Sequence, residues 1–112
     1  MKEYILINRV PENYDRTEAQ KINEAWNIVT NKWKEDEIFI YSFVFPNKGY
    51  EIAESDRVVN NGYVLTNKLK VVSVIVIKAN DLESAVELAK ACPILDQAGT
   101  IEVREIMERR FL

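Results

Sequence analysis

Histidine is absent from this chain of 112 residues. With it go the Ser/His/Asp triad, the Cys/His dyad and the ordinary His-rich zinc site. Cysteine occurs once, at Cys92, so an intramolecular disulfide has no second partner and a reducing, cytoplasmic setting is the expectation. Long hydrophobic runs are also lacking. The longest, Val71 to Ile77, is broken by Ser73 and falls far short of the roughly 20 apolar residues that span a bilayer. The run Tyr4 to Ile7 is too short for a signal-peptide core, and no membrane association is expected. Nor is there an excess of positive charge. Fifteen Lys+Arg against 18 Asp+Glu give a net charge of −3, without the basic footprint of a nucleic-acid binder. Arg109 and Arg110 at the tail are too few to make a patch.

What is present suffices for one core. With 47% apolar and 29% charged residues, the chain reads as a single globular domain over 1–112. A chain this long hides roughly two thirds of its unfolded surface, enough for a core but not for a core and a deep private cavity. A sizeable pocket is therefore expected to need a second subunit.

Periodicity supplies the elements. Ile5 and Ile7 alternate with Tyr4, Leu6 and Asn8, which predicts a strand over Glu3 to Arg9. Thr17 with Gln20 reads as a capping box for a helix. Its apolar stripe is Ala19, Ile22, Trp26, Val29 and Trp33, at spacings that predict a continuous helix of about four to five turns. Ile38 to Phe45 alternates between an aliphatic row of Ile38, Ile40, Ser42 and Val44 and an aromatic row of Phe39, Tyr41, Phe43 and Phe45. Such a strand is expected to be buried on both sides. Asn47 to Ser55 reads as a loop, and Asn60-Asn61-Gly62 as a hairpin turn between Arg57-Val58-Val59 and Tyr63-Val64-Leu65. Lys70 to Ala79 predicts a central strand. Asn80 reads as the cap of a second helix, whose stripe is Leu82, Ala85, Val86, Ala89 and Cys92. A last strand, Thr100 to Met107, is expected to set Ile101, Val103 and Met107 on one face.

With the hairpin as an insertion, this order is a β-α-β-β-α-β unit, the ferredoxin-like arrangement of the α+β class. Its helices share one face of an antiparallel sheet. The opposite face, carrying the aromatic row, is too apolar for water, and a second copy is the simplest cover. A homodimer through the sheet face is expected.

The stretch Val71 to Glu105 resembles the YCII-related family. The likeness rests on the buried strand Ile75-Val76-Ile77-Lys78-Ala79, the helix start Asn80-Asp81-Leu82-Glu83, Cys92-Pro93, and the closing Gly99-Thr100-Ile101-Glu102-Val103-Arg104-Glu105. The resemblance implies a dimeric α+β barrel. It also implies a His–Asp pair at a cleft by the first helix, where this chain offers Gln20 and Asp36, and Gln takes no proton near neutral pH. A sister group carries Thr-Asp-Gly-Pro-Phe after the hairpin. Here the comparable segment is Leu65-Thr66-Asn67-Lys68-Leu69-Lys70, without Gly-Pro-Phe. Both departures point away from catalysis.

The remaining carboxylate candidates for acid–base work are Asp36 and Asp56, the latter two residues after Glu54 on an edge that reads equally as solvated charge. Glu35-Asp36-Glu37 lacks the glycine and spaced acids of a calcium loop, and no metal or other cofactor is expected. For a small-molecule ligand, the candidates are Asn8, Arg9, Tyr14, Trp26, Tyr41, Arg57 and Tyr63. These are aromatics suited to an apolar cleft, or to core and interface, and polar groups at strand ends where an arginine fork meets a carboxylate. Cys92 has no His to deprotonate it and reads as a packed thiol. An RNA-recognition sheet would need a basic Gly-aromatic motif that Val71 to Ala79 lacks. A non-catalytic ligand-binding, assembly or regulatory homodimer is the leading expectation. A small lyase, isomerase or hydrolase using carboxylates and tyrosines, and a purely structural dimer, are the alternatives.

Overall fold

A computed structural model describes residues 1–108 of the chain; Arg109, Arg110 and the end of the expected irregular tail lie outside the described residues. The elements in chain order are β1 (Lys2–Pro11), α1 (Arg16–Lys21), α2 (Asn23–Glu35), β2 (Phe39–Val44), β3 (Gly49–Ala53), β4 (Val58–Gly62), β5 (Leu65–Thr66), β6 (Leu69–Ala79), α3 (Leu82–Ala89), a 3-10 turn (Pro93–Gln97) and β7 (Thr100–Ile106). The class is α+β. The main sheet runs β2-β6-β1-β7 with β5 added to β6, and β3 pairs with β4 in a separate ribbon. Every pairing is antiparallel.

The core lies on one face of the main sheet. Along β1 the alternate residues Tyr4, Leu6, Asn8 and Val10 are buried. Tyr4, Leu6 and Asn8 stand opposite Ile77, Ile75 and Ser73 of β6. Ala85 and Ala89 of α3, Cys92, Ile94 of the 3-10 turn and Trp33 of α2 close over them. Burying side chains of this size stabilises by about 1.5–3 kcal/mol each, so this layer carries most of the folding drive. The expected stripe survives along α2, with Trp33 3% exposed and Trp26 and Val29 packed against the core.

Several local expectations are corrected. The first helix is capped by Asp15, whose Oδ1 accepts from the Glu18 N–H at 3.1 Å, not by Thr17. Helix α3 is capped by Asp81, accepting from the Ser84 N–H at 2.8 Å, rather than by the expected Asn80. In both cases an ionised carboxylate adds a favourable charge at the positive end of the helix. The predicted continuous helix breaks at Ile22 (φ −111°, ψ 6°), where the N–H turns to Ala19 O at 3.3 Å and the side chain sinks into the core. On α3 the buried positions are Ala85 and Ala89, while Leu82 and Val86 are exposed. Met107 lies past the end of β7 and is exposed.

The hairpin also differs. Asn60, Asn61 and Gly62 lie inside β4, and the segment read as a loop supplies β3. The reversal is at Glu54–Arg57, with Glu54 (φ 64°) and Arg57 (φ 61°) left-handed and the Arg57 N–H bonded to Glu54 O at 3.2 Å. A second tight turn joins β5 to β6 through Asn67 (φ 52°) and Lys68 (φ 66°). Left-handed values at both central residues are what a two-residue hairpin of the primed type requires.

Strand β2 is an edge strand, and it is not buried on both sides. Its register slips between Phe39 and Tyr41, so Phe39 pairs with Ile77 while Tyr41 pairs with Val76 and Phe43 with Val74. The extra residue splits the predicted aromatic row. Phe39 joins the core cluster, whereas Tyr41 and Phe43 stand on the other face, both 58% exposed and stacked at 6.2 Å. Ile5, Ile7 and Val74 continue that face, and none of the described helices lies over it.

Candidate functional site

The break at Ile22 and the edge position of β2 together open a cleft between the first two helices and the β2–β6 half of the sheet. Its volume is about 310 Å³. Trp26, Asn23, Asn27 and Thr30 form the helical wall, Ser42 and Val44 the β2 wall, Ser73 and Ile75 the floor, and Tyr14 one end. Tyr14 is the one titratable side chain among these residues, and burial, with Glu18 nearby, pushes its phenol up. A phenol held protonated donates and accepts hydrogen bonds but does not act as a base near neutral pH.

At the inner edge of the floor lies a polar pair. Asn8, fully buried on β1, donates from Nδ2 to Ser73 Oγ at 2.9 Å, and its Oδ1 has no partner among the described residues. A buried carbonyl oxygen without a donor costs about 1–3 kcal/mol. Such a polar group works against packing, and it sits against a serine that faces the cleft.

A second hollow of about 380 Å³ shares Tyr14, Ala19, Val44 and Val72 with the first. Asp15, Arg16, Phe45, Pro46, Tyr63, Lys70 and Val71 complete its lining. Lys70 is 6% exposed. Its Nζ donates to Tyr14 O at 2.9 Å and lies 4.1 Å from the centre of the Tyr63 ring. The register places it there, since Lys70 stands opposite the buried Val10 on β1.

Of the seven ligand candidates, the structure brings Tyr14, Trp26 and Tyr63 to the clefts and sets Asn8 beside the floor residue Ser73. Arg9 and Tyr41 project from the opposite face of the sheet. There Arg9 Nη1 donates to Glu102 Oε1 at 2.8 Å. Hydrogen bonds from Arg9 and Arg104 hold the Glu102 carboxyl below its ordinary range. Arg57 is in the β3–β4 turn, bonded to the Ser55 carbonyl, away from both clefts. The carboxylate candidates are also elsewhere. Asp36 ends α2 and pairs with Lys32 at 3.3 Å, and Asp56 lies exposed in the hairpin turn. Gln20 is exposed on α1 and lines neither cleft. Among the described residues no group of three Asp, Glu, Cys or His side chains could hold a metal ion. No described helix is long and apolar enough to cross a membrane.

Sequence reasoning missed Ser42, Ser73, Arg16 and Lys70. No sequence signal marks Lys70, since a lysine opening an aliphatic strand ordinarily faces water and only the register with Val10 brings it inside.

The sheet with its helices on one face and a cleft at the helix–sheet edge defines a small α+β protein with a ligand-sized hollow. The chain belongs to the YCII-related domain family, whose model matches residues 1–110. No curated protein matches the chain.

Proposed function

We propose that the protein is a non-catalytic small-molecule-binding homodimer of the ferredoxin-like, dimeric α+β barrel type, working in the cytoplasm. The observation that carries the reading is the composition of the 310 Å³ cleft: aromatic, aliphatic, amide and hydroxyl groups around it, with no carboxylate and no cation. Such a wall holds and orients a ligand but offers no acid–base pair. The acid–base alternative needs a carboxylate there, and Asp36 and Asp56 both lie outside it. Asp15 lines only the adjoining hollow, with one oxygen engaged in capping α1. The strand order β2-β6-β1-β7 supports the ferredoxin-like assignment.

Two surfaces support the dimer. One is the helix-free sheet face with Tyr41 and Phe43; the other is the β3–β4 ribbon, which exposes Tyr50, Ile52 and Val59 on one side. Apolar groups gathered in this way mark an interaction surface. Sedimentation equilibrium at micromolar concentration is expected to return twice the chain mass of 13.0 kDa, and Tyr41→Arg is expected to return the single-chain mass. A wild-type monomer would end the dimer reading. For the cleft, a Trp33→Phe variant leaves Trp26 as the reporter. Titration with the uncharged probe 1-naphthalenemethanol is expected to change its fluorescence saturably, and a linear, non-saturating response would end the binding reading.

A further inference from the structure

Lys70 is a buried cation without a counter-ion among the described residues. Its ammonium meets one carbonyl and one aromatic face. An ammonium has three donors, and removing it from water without an opposite charge is costly. Arg16, on the rim of the same hollow, also has no ion pair among the described residues. Lys48 approaches the Tyr63 ring from 5.7 Å. The one acid in the lining, Asp15, turns an oxygen to its own helix. Two cations and one engaged acid therefore line a hollow whose remaining wall is mostly apolar.

We propose that the joined clefts take an amphipathic organic anion. Its oxyanion, a carboxylate or a phosphate monoester, sits at Lys70 and Arg16, and its ring or chain lies along Trp26, Val44 and Ile75. This rests on the reading of the cleft as a binding site and adds the ligand class. Both hollows share the wall of Tyr14, Ala19, Val44 and Val72, so one molecule reaches from the charged hollow into the uncharged cleft. A charge-assisted hydrogen bond to Lys70 supplies affinity, and Arg16 offers a planar fork for a second oxygen.

The test compares three probes of one body, 1-naphthoate, 1-naphthyl phosphate and 1-naphthalenemethanol, by calorimetric titration of the wild-type protein. The anions are expected to bind about tenfold more tightly than the alcohol. The tighter of the two identifies the oxyanion. In Lys70→Met the preference is expected to shrink to about twofold while the alcohol still binds. Equal wild-type binding of alcohol and anions, or a preference that survives Lys70→Met, overturns the proposal and leaves the cleft reading standing. If no probe binds, the cleft reading falls and this one with it. Should Lys70→Met fail to fold, Arg16→Gln and added salt take its place. Both are expected to erode the preference, and indifference to both overturns the proposal.

Discussion

Native Cys92 is expected to be nearly inert to thiol reagents, and the structure sets the scale. The side chain is 2% exposed between α3 and the 3-10 turn, and burial pushes its thiol from 9.0 up to about 12. At about pH 8 an ordinary cysteine is roughly a tenth thiolate, whereas a thiol titrating near 12 is about one part in ten thousand, a loss of roughly a thousandfold in the reactive form. Burial adds a steric block, so reaction proceeds through opening of the core. The global opening free energy of a domain this size is about 5–15 kcal/mol, so the true retardation is larger than the thiolate deficit alone. The assay is the absorbance released by an aromatic disulfide reagent, followed in buffer and in concentrated guanidinium chloride. A native rate at least about a thousandfold below the denatured rate is expected. A native rate within about tenfold of it would refute the packed-thiol reading and reopen Cys92 as a nucleophile.

Three further outcomes follow from particular contacts. A Cβ on Gly99 would stand 2.7 Å from both Arg9 O and Ile94 O, and neither backbone atom moves freely; Gly99→Ala is expected to cost about 1–3 kcal/mol in chemical denaturation, and an unchanged midpoint would contradict the close approach. Lys68 is held left-handed in the β5–β6 turn, so Lys68→Gly is expected to stabilise by about 0.5–1 kcal/mol and raise the melting temperature by a few degrees; a lower melting temperature would refute the strain. The third concerns acid. The Ser84 side chain and backbone hold Asp81 below its ordinary 3.8, and Arg9 and Arg104 hold Glu102 below its ordinary 4.5. Folded values below the unfolded ones give stability that is complete above about 4.5 and lost as pH falls from there through the lower folded values. Denaturant midpoints recorded downward from neutral pH are expected to drop in that window, less steeply in Asp81→Asn, and a flat profile would contradict both assignments.

The sequence revealed the sheet and its core better than it revealed the cleft. β1, β6 and β7 were legible because a buried sheet face imposes a period of two, and the helical stripe because Trp26 and Trp33 recur at helical spacing. Bulges have no such signature. The slip at Phe39/Tyr41 sends Tyr41 to the open face, and another slip, between Asn8 and Arg9, accompanies the pairing of β1 with β6. The Asn60-Asn61-Gly62 signal was real chemistry in the wrong place, since Asn67 and the Glu54–Arg57 segment adopt the left-handed conformations instead. In the sequence Trp26 and Tyr63 read as aromatics suited to an apolar cleft, and Tyr14 as a polar group near a strand end. Lys70 was not recognisable, because a lysine at a strand end ordinarily faces water, and only pairing with Val10 brings it inside.

The central claim is that the cleft between the first two helices and the β2–β6 edge holds a small molecule. Its most direct test is chemical-shift mapping of the isotopically labelled protein during titration with 1-naphthoate. Saturable shifts are expected at the Trp26 indole and at the amides of Ser42, Ser73 and Lys70, with Ile5, Ile7 and Arg104 on the far face of the sheet unmoved. Shifts confined to that far face, or none at any concentration, would contradict it.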